Sequence, residues 1–243
     1  MNIIRPIKQI YSNYTDHDFL VWKTLYNRQM EILAPIVSME YLHALDKVQF
    51  NADKIPDFNE VNALLAPLTG WSLHVVPNIS PQKIFFQCLS KKEFTATCWL
   101  RTMEQLDYLE EPDMFHDVFA HVPLLSNKSY VDFFKGISDI AIKHLDNDRI
   151  IELLGRIYWF TIEFGLIKEK DQLKIYGSGI ISSKGETIHC MSGKVKCLPF
   201  NVKIILDTDY RTDILQDNYF VIDSFDQLFN SLSEIEENVS AFK

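Results

Sequence analysis

The sequence predicts an α+β fold, mostly helical with a few short strands, in one domain covering residues 1–243. Three observations lead there. Long stretches carry apolar residues at helical spacing and open on capping residues. Strand-like pieces are short and scattered. With only 8 Gly in 243 residues, no repeat, low-complexity run or flexible linker divides the chain. A chain of this length can bury a core and hold a pocket without disulfide or metal staples.

The elements follow in order. Thr15, with Asp18 three residues later, forms a capping signal before an apolar-periodic run that extends to Val37. Ser38 is the candidate N-cap of a second helix reaching Leu45, and a third runs from Phe58 to Leu68 and stops near Gly70. Alternation from Trp71 to Val76 reads as a strand. Pro77 and Pro81 bracket a loop, Gln82–Leu89 as a helix, and residues 94–101 as a strand. An acidic loop over 104–113 leads into a segment with two His. Residues 129–143 and 148–168 read as helices, 178–188 as strand–turn–strand, and 202–206 and 219–222 as strands. A last helix starts at Ser224.

Composition excludes several function classes. Net charge is −9 and no Lys/Arg-rich run occurs, so nucleic-acid binding through a basic patch is not expected. No run reaches the length of a membrane helix, and the N-terminus lacks the apolar core of a secretory signal, which places the expectation in the cytoplasm. Cys88, Cys98, Cys190 and Cys197 form no CxxC pair and read as free thiols.

His116 and His121 stand five residues apart, whereas an α-helical face stacks residues three or four apart. The pair can share a target if the helix tightens, bulges or ends there, and Pro123 makes such an irregularity reasonable. By spacing alone, two partly exposed polar residues are the simpler reading. Glu163 is a different signal, being the only charge in YWFTIEFGLI. A carboxylate in so apolar a helix needs a partner or a metal. Arg156 is one candidate partner, but Glu152 competes for it from four residues away. Two His and one carboxylate suit a non-haem iron(II) oxygenase; the same set on zinc would give a hydrolase. A binding module without turnover is a third possibility.

Longer motifs narrow this. EEPDMFHDVFAHVPLL, RIYWFTIEFGL and YGSGIISSKGE occur in that order, flanked by YTDHDFLVWKTLYNRQ, IPDFNEVNALLAPLTGW and NYFVIDSFDQL. Over roughly residues 14–232 the chain resembles the biopterin-dependent aromatic amino acid hydroxylases, most of all the short bacterial phenylalanine-hydroxylating members. The resemblance implies iron(II) held by His116, His121 and Glu163. It implies a tetrahydropterin, tetrahydrobiopterin or a relative, bound beside the iron. The loop from Val76 to Ser80, the ring of Phe85, Asp117 acting through water, and Gly155 with Tyr158 would hold it. For the aromatic amino acid it implies Arg101 and Ser182 at the substrate carboxylate, and Pro112, Trp159 and Phe164 with the His116 ring around the substrate ring. Without the family, Arg101 would read as a surface charge, Asp117 as a solvated helix-end acid, and Trp159 and Phe164 as core.

The implied reaction is ring hydroxylation with O2, most simply L-phenylalanine to L-tyrosine; tryptophan or another ring position is the alternative. Ala120 stands where the family carries Gly. Leu109 replaces a Thr of the animal enzymes, and Thr212 lies in a stretch that separates the substrate classes. The animal enzymes' regulatory domain and C-terminal assembly helix have no counterpart here, so a monomer is expected.

Overall fold

The computed structural model describes residues 5–107, 109 and 111–242. Its helices are α1 (Asp16–Leu33), α2 (Met39–Lys47), α3 (Phe58–Leu68), α4 (Gln82–Ser90), α5 (Lys128–Ile142), α6 (Asp148–Tyr158), α7 (Ser178–Ser182), α8 (Lys184–Cys190), α9 (Val202–Asp207), α10 (Phe225–Asn230) and α11 (Leu232–Ser240). Strands are β1 (Ser72–Val75), β2 (Glu93–Ala96), β3 (Gly165–Glu169), β4 (Gln172–Ile175), β5 (Lys196–Pro199) and β6 (Asn218–Ile222). Two π-helical segments, Phe115–His121 and Trp159–Glu163, interrupt this pattern. The mostly helical α+β architecture is as expected.

The caps act as their residue types dictate. Thr15 accepts from the Asp18 amide while the Asp18 carboxylate accepts from the Thr15 amide, which satisfies two otherwise unpaired donors. Ser38 Oγ accepts from the Tyr41 amide. Pro35 lacks an amide to continue the helix, so α1 stops at Leu33 and not at Val37.

Strands pair in two small sheets. β1 and β2 run parallel, and the second sheet has the order β4-β3-β6-β5. β3 and β4 form an antiparallel hairpin through Lys170 and Asp171, both at positive φ (48° and 64°). The same sheet carries parallel β3–β6 and β5–β6 pairs, in which Ile167 faces Ile222 and Leu198 faces Phe220.

Four more expectations are corrected. Residues 202–206 are helical despite their β-branched content. Asn201 caps the Ile204 amide, and Val202, Ile205 and Leu206 fall on one buried face at helical spacing. Residues 178–188 form α7 and α8, with Ser183 capping the Glu186 amide, in place of a strand–turn–strand. The expected helix over 148–168 ends at Tyr158, passes through the second π segment and turns into β3. The strand expected over 94–101 is also shorter: after Ala96, the Thr97 amide bonds the Asp117 carboxylate and the Trp99 carbonyl bonds the Met114 amide, so pairing with β1 ceases. Of the acidic loop over 104–113, Tyr108 and Glu110 lie outside the described residues.

The core gathers around α5. Trp71 stacks on Phe134 at 5.4 Å and 9°, and Phe134 also meets Phe94, Tyr130 and Tyr158. This aromatic mass supports the floor of the cavity described next.

Candidate metal centre and its cavity

Both segments that carry the candidate ligands are π-helical. A π turn hydrogen-bonds i to i+5, so residues five apart share a face. That resolves the awkward spacing of His116 and His121: their Nε2 atoms lie 3.3 Å apart. The second segment repeats the device. The Phe164 amide reaches the Trp159 carbonyl, and the Tyr158 hydroxyl donates to Glu163 Oε1 at 2.8 Å. Side chains occupy a carbonyl of the first segment and one just before the second. The Tyr41 hydroxyl donates to the Phe119 carbonyl at 2.7 Å, and Thr161 Oγ1 donates to the Ile157 carbonyl at 2.6 Å.

Glu163 approaches the imidazoles from the other segment, with Oε1 3.1 Å from His121 Nε2 and Oε2 3.8 Å from His116 Nε2. One ligand atom from each of the three lies within 4.8 Å of the others. Arg156 does not pair with Glu163. It bonds Glu152 Oε1 at 2.9 Å, Asp209 Oδ1 at 2.7 Å and the Leu206 carbonyl at 2.9 Å. Among the described residues, the carboxylate's polar partners are the two imidazoles and Tyr158.

The protonation pattern suits a cation. Burial pushes the His116 imidazolium down to about 4, so the ring is neutral at pH 7. Its Nδ1 lies 2.8 Å from Ser182 Oγ, which itself donates to the Ser178 carbonyl at 3.0 Å. Ser182 must then accept, so Nδ1 carries the proton and the Nε2 lone pair points at the shared centre. Burial raises the Glu163 carboxyl, but the two imidazoles and the Tyr158 hydroxyl outweigh it and hold it at about 2. His121 Nδ1 is buried without a hydrogen-bond partner among the described residues. Two imidazole nitrogens and one carboxylate oxygen on one point fit a divalent iron with open positions.

The triad lies on the wall of a cavity of about 720 Å³. Every residue that the sequence resemblance names for the pterin or the substrate lines the same cavity. Val76, Ser80, Phe85, Gly155 and Tyr158 stand on one side, with Phe85 and Tyr158 edge-to-face at 5.2 Å. A Cβ on Gly155 would lie 2.6 Å from Nε2 of the exposed Gln82, a flexible side-chain end that would have to shift. Asp117 is buried, not solvated; its carboxylate accepts from the Thr97 amide at 2.7 Å and hydroxyl at 2.8 Å, and burial pushes it up to about 7.

On the other side, Arg101 is 8% exposed, which overturns its reading as a surface charge. Its Nε and Nη2 both donate to Asp113, at 2.9 and 2.8 Å, and Asp113 Oδ2 also accepts from the Arg101 amide. This two-pronged pair fixes the guanidinium plane at the cavity wall. Pro112, Trp159, Phe164 and Ser182 complete that side. Leu109 and Thr212 line the cavity as well, while Ala120 is fully buried behind His121. Among the described residues, positive φ outside glycine occurs only at Gln49, Lys92, Lys170 and Asp171, so position 120 does not demand glycine.

Sequence reasoning missed Asp113, Thr97, Tyr210 and Gln216. Asp113 carried a usable signal, an acid directly before a motif rich in apolar residues. Gln216 carried none, since its role depends on chain segments distant in sequence.

A buried cluster of two His and one Glu opening on a largely apolar cavity defines a non-haem iron oxygenase site, with room beside the metal for a flat cofactor and a substrate. The chain belongs to the biopterin-dependent aromatic amino acid hydroxylase family, whose sequence model matches residues 4–241. It is 42% identical over 228 residues to the phenylalanine-4-hydroxylase of Chromobacterium violaceum, covering 93% of this chain and 76% of that one. It is 40% identical over 232 residues to that of Ralstonia nicotianae, covering 94% and 74%. Among solved structures, it superimposes with a TM-score of 0.90 and 39% identity on the Chromobacterium violaceum enzyme holding iron(III) and the oxidised cofactor 7,8-dihydrobiopterin, over 98% of this chain and 87% of that one.

Proposed function

We propose that this chain hydroxylates the ring of L-phenylalanine to give L-tyrosine, using O2, iron(II) and a tetrahydropterin. The observation that carries the reading is that the His116–His121–Glu163 cluster and the Asp113-braced Arg101 face one cavity. One end can thus take a metal and the other an amino-acid carboxylate.

Iron with a tetrahydropterin supplies the electrons and the oxygen activation. The chain's own residues do the rest. His116 and His121 offer ring nitrogens, and Ser182 orients the first by accepting a hydrogen bond from its Nδ1–H. Tyr158 donates to Glu163 and so holds the carboxylate in its ligating orientation. Phe85 offers a flat face for the pterin, with Val76, Ser80 and Gly155 beside it and Asp117 within reach of its ring through water. Arg101 takes the substrate carboxylate, and Pro112, Trp159 and Phe164 hold the ring and keep water from it. No helix among the described residues is long and apolar enough to cross a membrane, and a cytoplasmic monomer is part of this reading.

The test is product analysis with iron(II), tetrahydrobiopterin and O2, offering phenylalanine, tyrosine and tryptophan together. Tyrosine formed from phenylalanine, faster than any product of the other two, is expected. Zinc in the purified protein without pterin-dependent O2 uptake would overturn the reading. Light scattering that gives twice the mass of one chain would overturn the monomer.

A further inference from the structure

The segment between α9 and β6 crosses the mouth of the cavity, where Tyr210 and residues 212–216 line it. One residue ties this segment to the substrate side. Gln216 is 6% exposed, and each of its polar atoms is engaged. Its Oε1 accepts from Trp159 Nε1 at 3.0 Å. Its Nε2 donates to the carbonyls of Arg211 at 2.8 Å and Ile214 at 3.0 Å. Its amide donates to Glu186 Oε1 at 3.2 Å, and its carbonyl lies 3.1 Å from His189 Nε2.

This arrangement has only one orientation. An indole N–H can only donate and a peptide carbonyl can only accept, so the carboxamide cannot flip without breaking all three side-chain bonds. Trp159 is also held through its rings, with Tyr210 stacked at 4.5 Å and 19° and Phe164 at 4.5 Å and 37°. Tyr210 itself belongs to the segment that Gln216 pins. The indole is thus fixed by a hydrogen bond at its edge and by a ring whose position depends on the same glutamine.

We infer that Gln216 is a positioning residue for the aromatic ring pocket, acting through Trp159. The inference rests on the proposed place of Trp159 in the wall that holds the substrate ring. Without the Gln216 bond, the indole N–H of the half-buried Trp159 would lose its acceptor and the segment carrying Tyr210 would lose two ties. Both changes move the wall against which the ring must be placed, and neither touches the metal or the pterin side. Misplaced walls weaken and disorder the substrate specifically.

The experiment measures L-phenylalanine affinity by calorimetry under nitrogen, with iron(II) and tetrahydrobiopterin bound, and the KM values for both under air. Gln216→Met keeps the volume and deletes the bonds. Its L-phenylalanine Kd and KM should rise about tenfold, with the pterin KM and iron content unchanged. In a Trp159→Phe background, the same substitution should add little, because the partner is already gone. An unchanged L-phenylalanine Kd with only a lower Tm would overturn the inference, as would an equal effect in both backgrounds. If Gln216→Met does not fold, Gln216→Asn withdraws the amide by one methylene and is judged by the same two outcomes. A wild-type enzyme that hydroxylates no aromatic amino acid ends the reading on which the inference rests. A wild type that does so while the Gln216 variants match it ends the inference alone.

Discussion

Glu163 is the residue on which the site turns, and it was legible as the one charge in an apolar helix. Its three polar neighbours, His116, His121 and Tyr158, were not legible from spacing, because each meets it through a π turn that residue counting does not anticipate. Glu163→Ala should leave the far-ultraviolet circular dichroism intact and weaken iron binding at least about 100-fold, read by metal analysis after dialysis. A fully loaded variant would remove Glu163 from the ligand set. Ser182 separates two roles. If it acts on His116 as the 2.8 Å contact indicates, Ser182→Ala weakens iron about 10–100-fold. If it serves the substrate carboxylate alone, iron stays and only the L-phenylalanine KM rises. Metal titration beside the kinetics distinguishes them.

At the scale of elements, the sequence located helices whose caps and apolar stripes agree. α3 was expected at Phe58–Leu68 and lies there, and Ser38 caps α2 as its type predicts. It failed where tertiary packing decides. Val202–Leu206 has strand propensity, yet burial against α6 selects the helix. β3, β4 and β5 escaped notice because none is longer than five residues and their alternation is weak. The β3–β4 hairpin has a clear lever, since Lys170 and Asp171 both hold positive φ at a two-residue turn, where Asn-Gly is preferred. Lys170→Asn with Asp171→Gly should stabilise the protein by about 0.5–1 kcal/mol. Thermal melting should show it as a rise of about 1–4 °C. A fall in Tm would mean that the native turn depends on its side chains.

At the scale of the whole molecule, the cavity is assembled from both halves of the chain, with Phe85 from one half in edge-to-face contact with Tyr158 from the other. Such convergence is invisible to composition and came into view only through the order of the motifs. Stability should also depend on pH through a group outside the ligand set. Burial raises the Glu186 carboxyl above its ordinary value, partly offset by bonds from Tyr219 and the Gln216 amide. The raised group keeps its proton longer in the fold than in the unfolded chain. Its contribution is therefore full below the ordinary carboxylate value of about 4.5 and is lost as pH rises through the raised one. Glu186→Gln should thus gain in Tm relative to wild type between about pH 4 and about pH 8. A constant difference across that range would exclude the ionisation as its source.

The two π segments carry a consequence for how the molecule breathes. Each places one more residue in its turn than the helices around it, and relaxation to an ordinary turn would swing His121 or Glu163 away from the shared centre. A bound metal, gripping both segments at once, selects the wide-turn form and penalises the alternative by mass action. Amides of residues 115–121 and 159–163 should then exchange with deuterium slowly in the iron-loaded protein and at least about tenfold faster after chelation, while those of α5 change little. Equal protection in both states would mean that the protein scaffold alone holds the wide turns, and that the metal enters a socket already set.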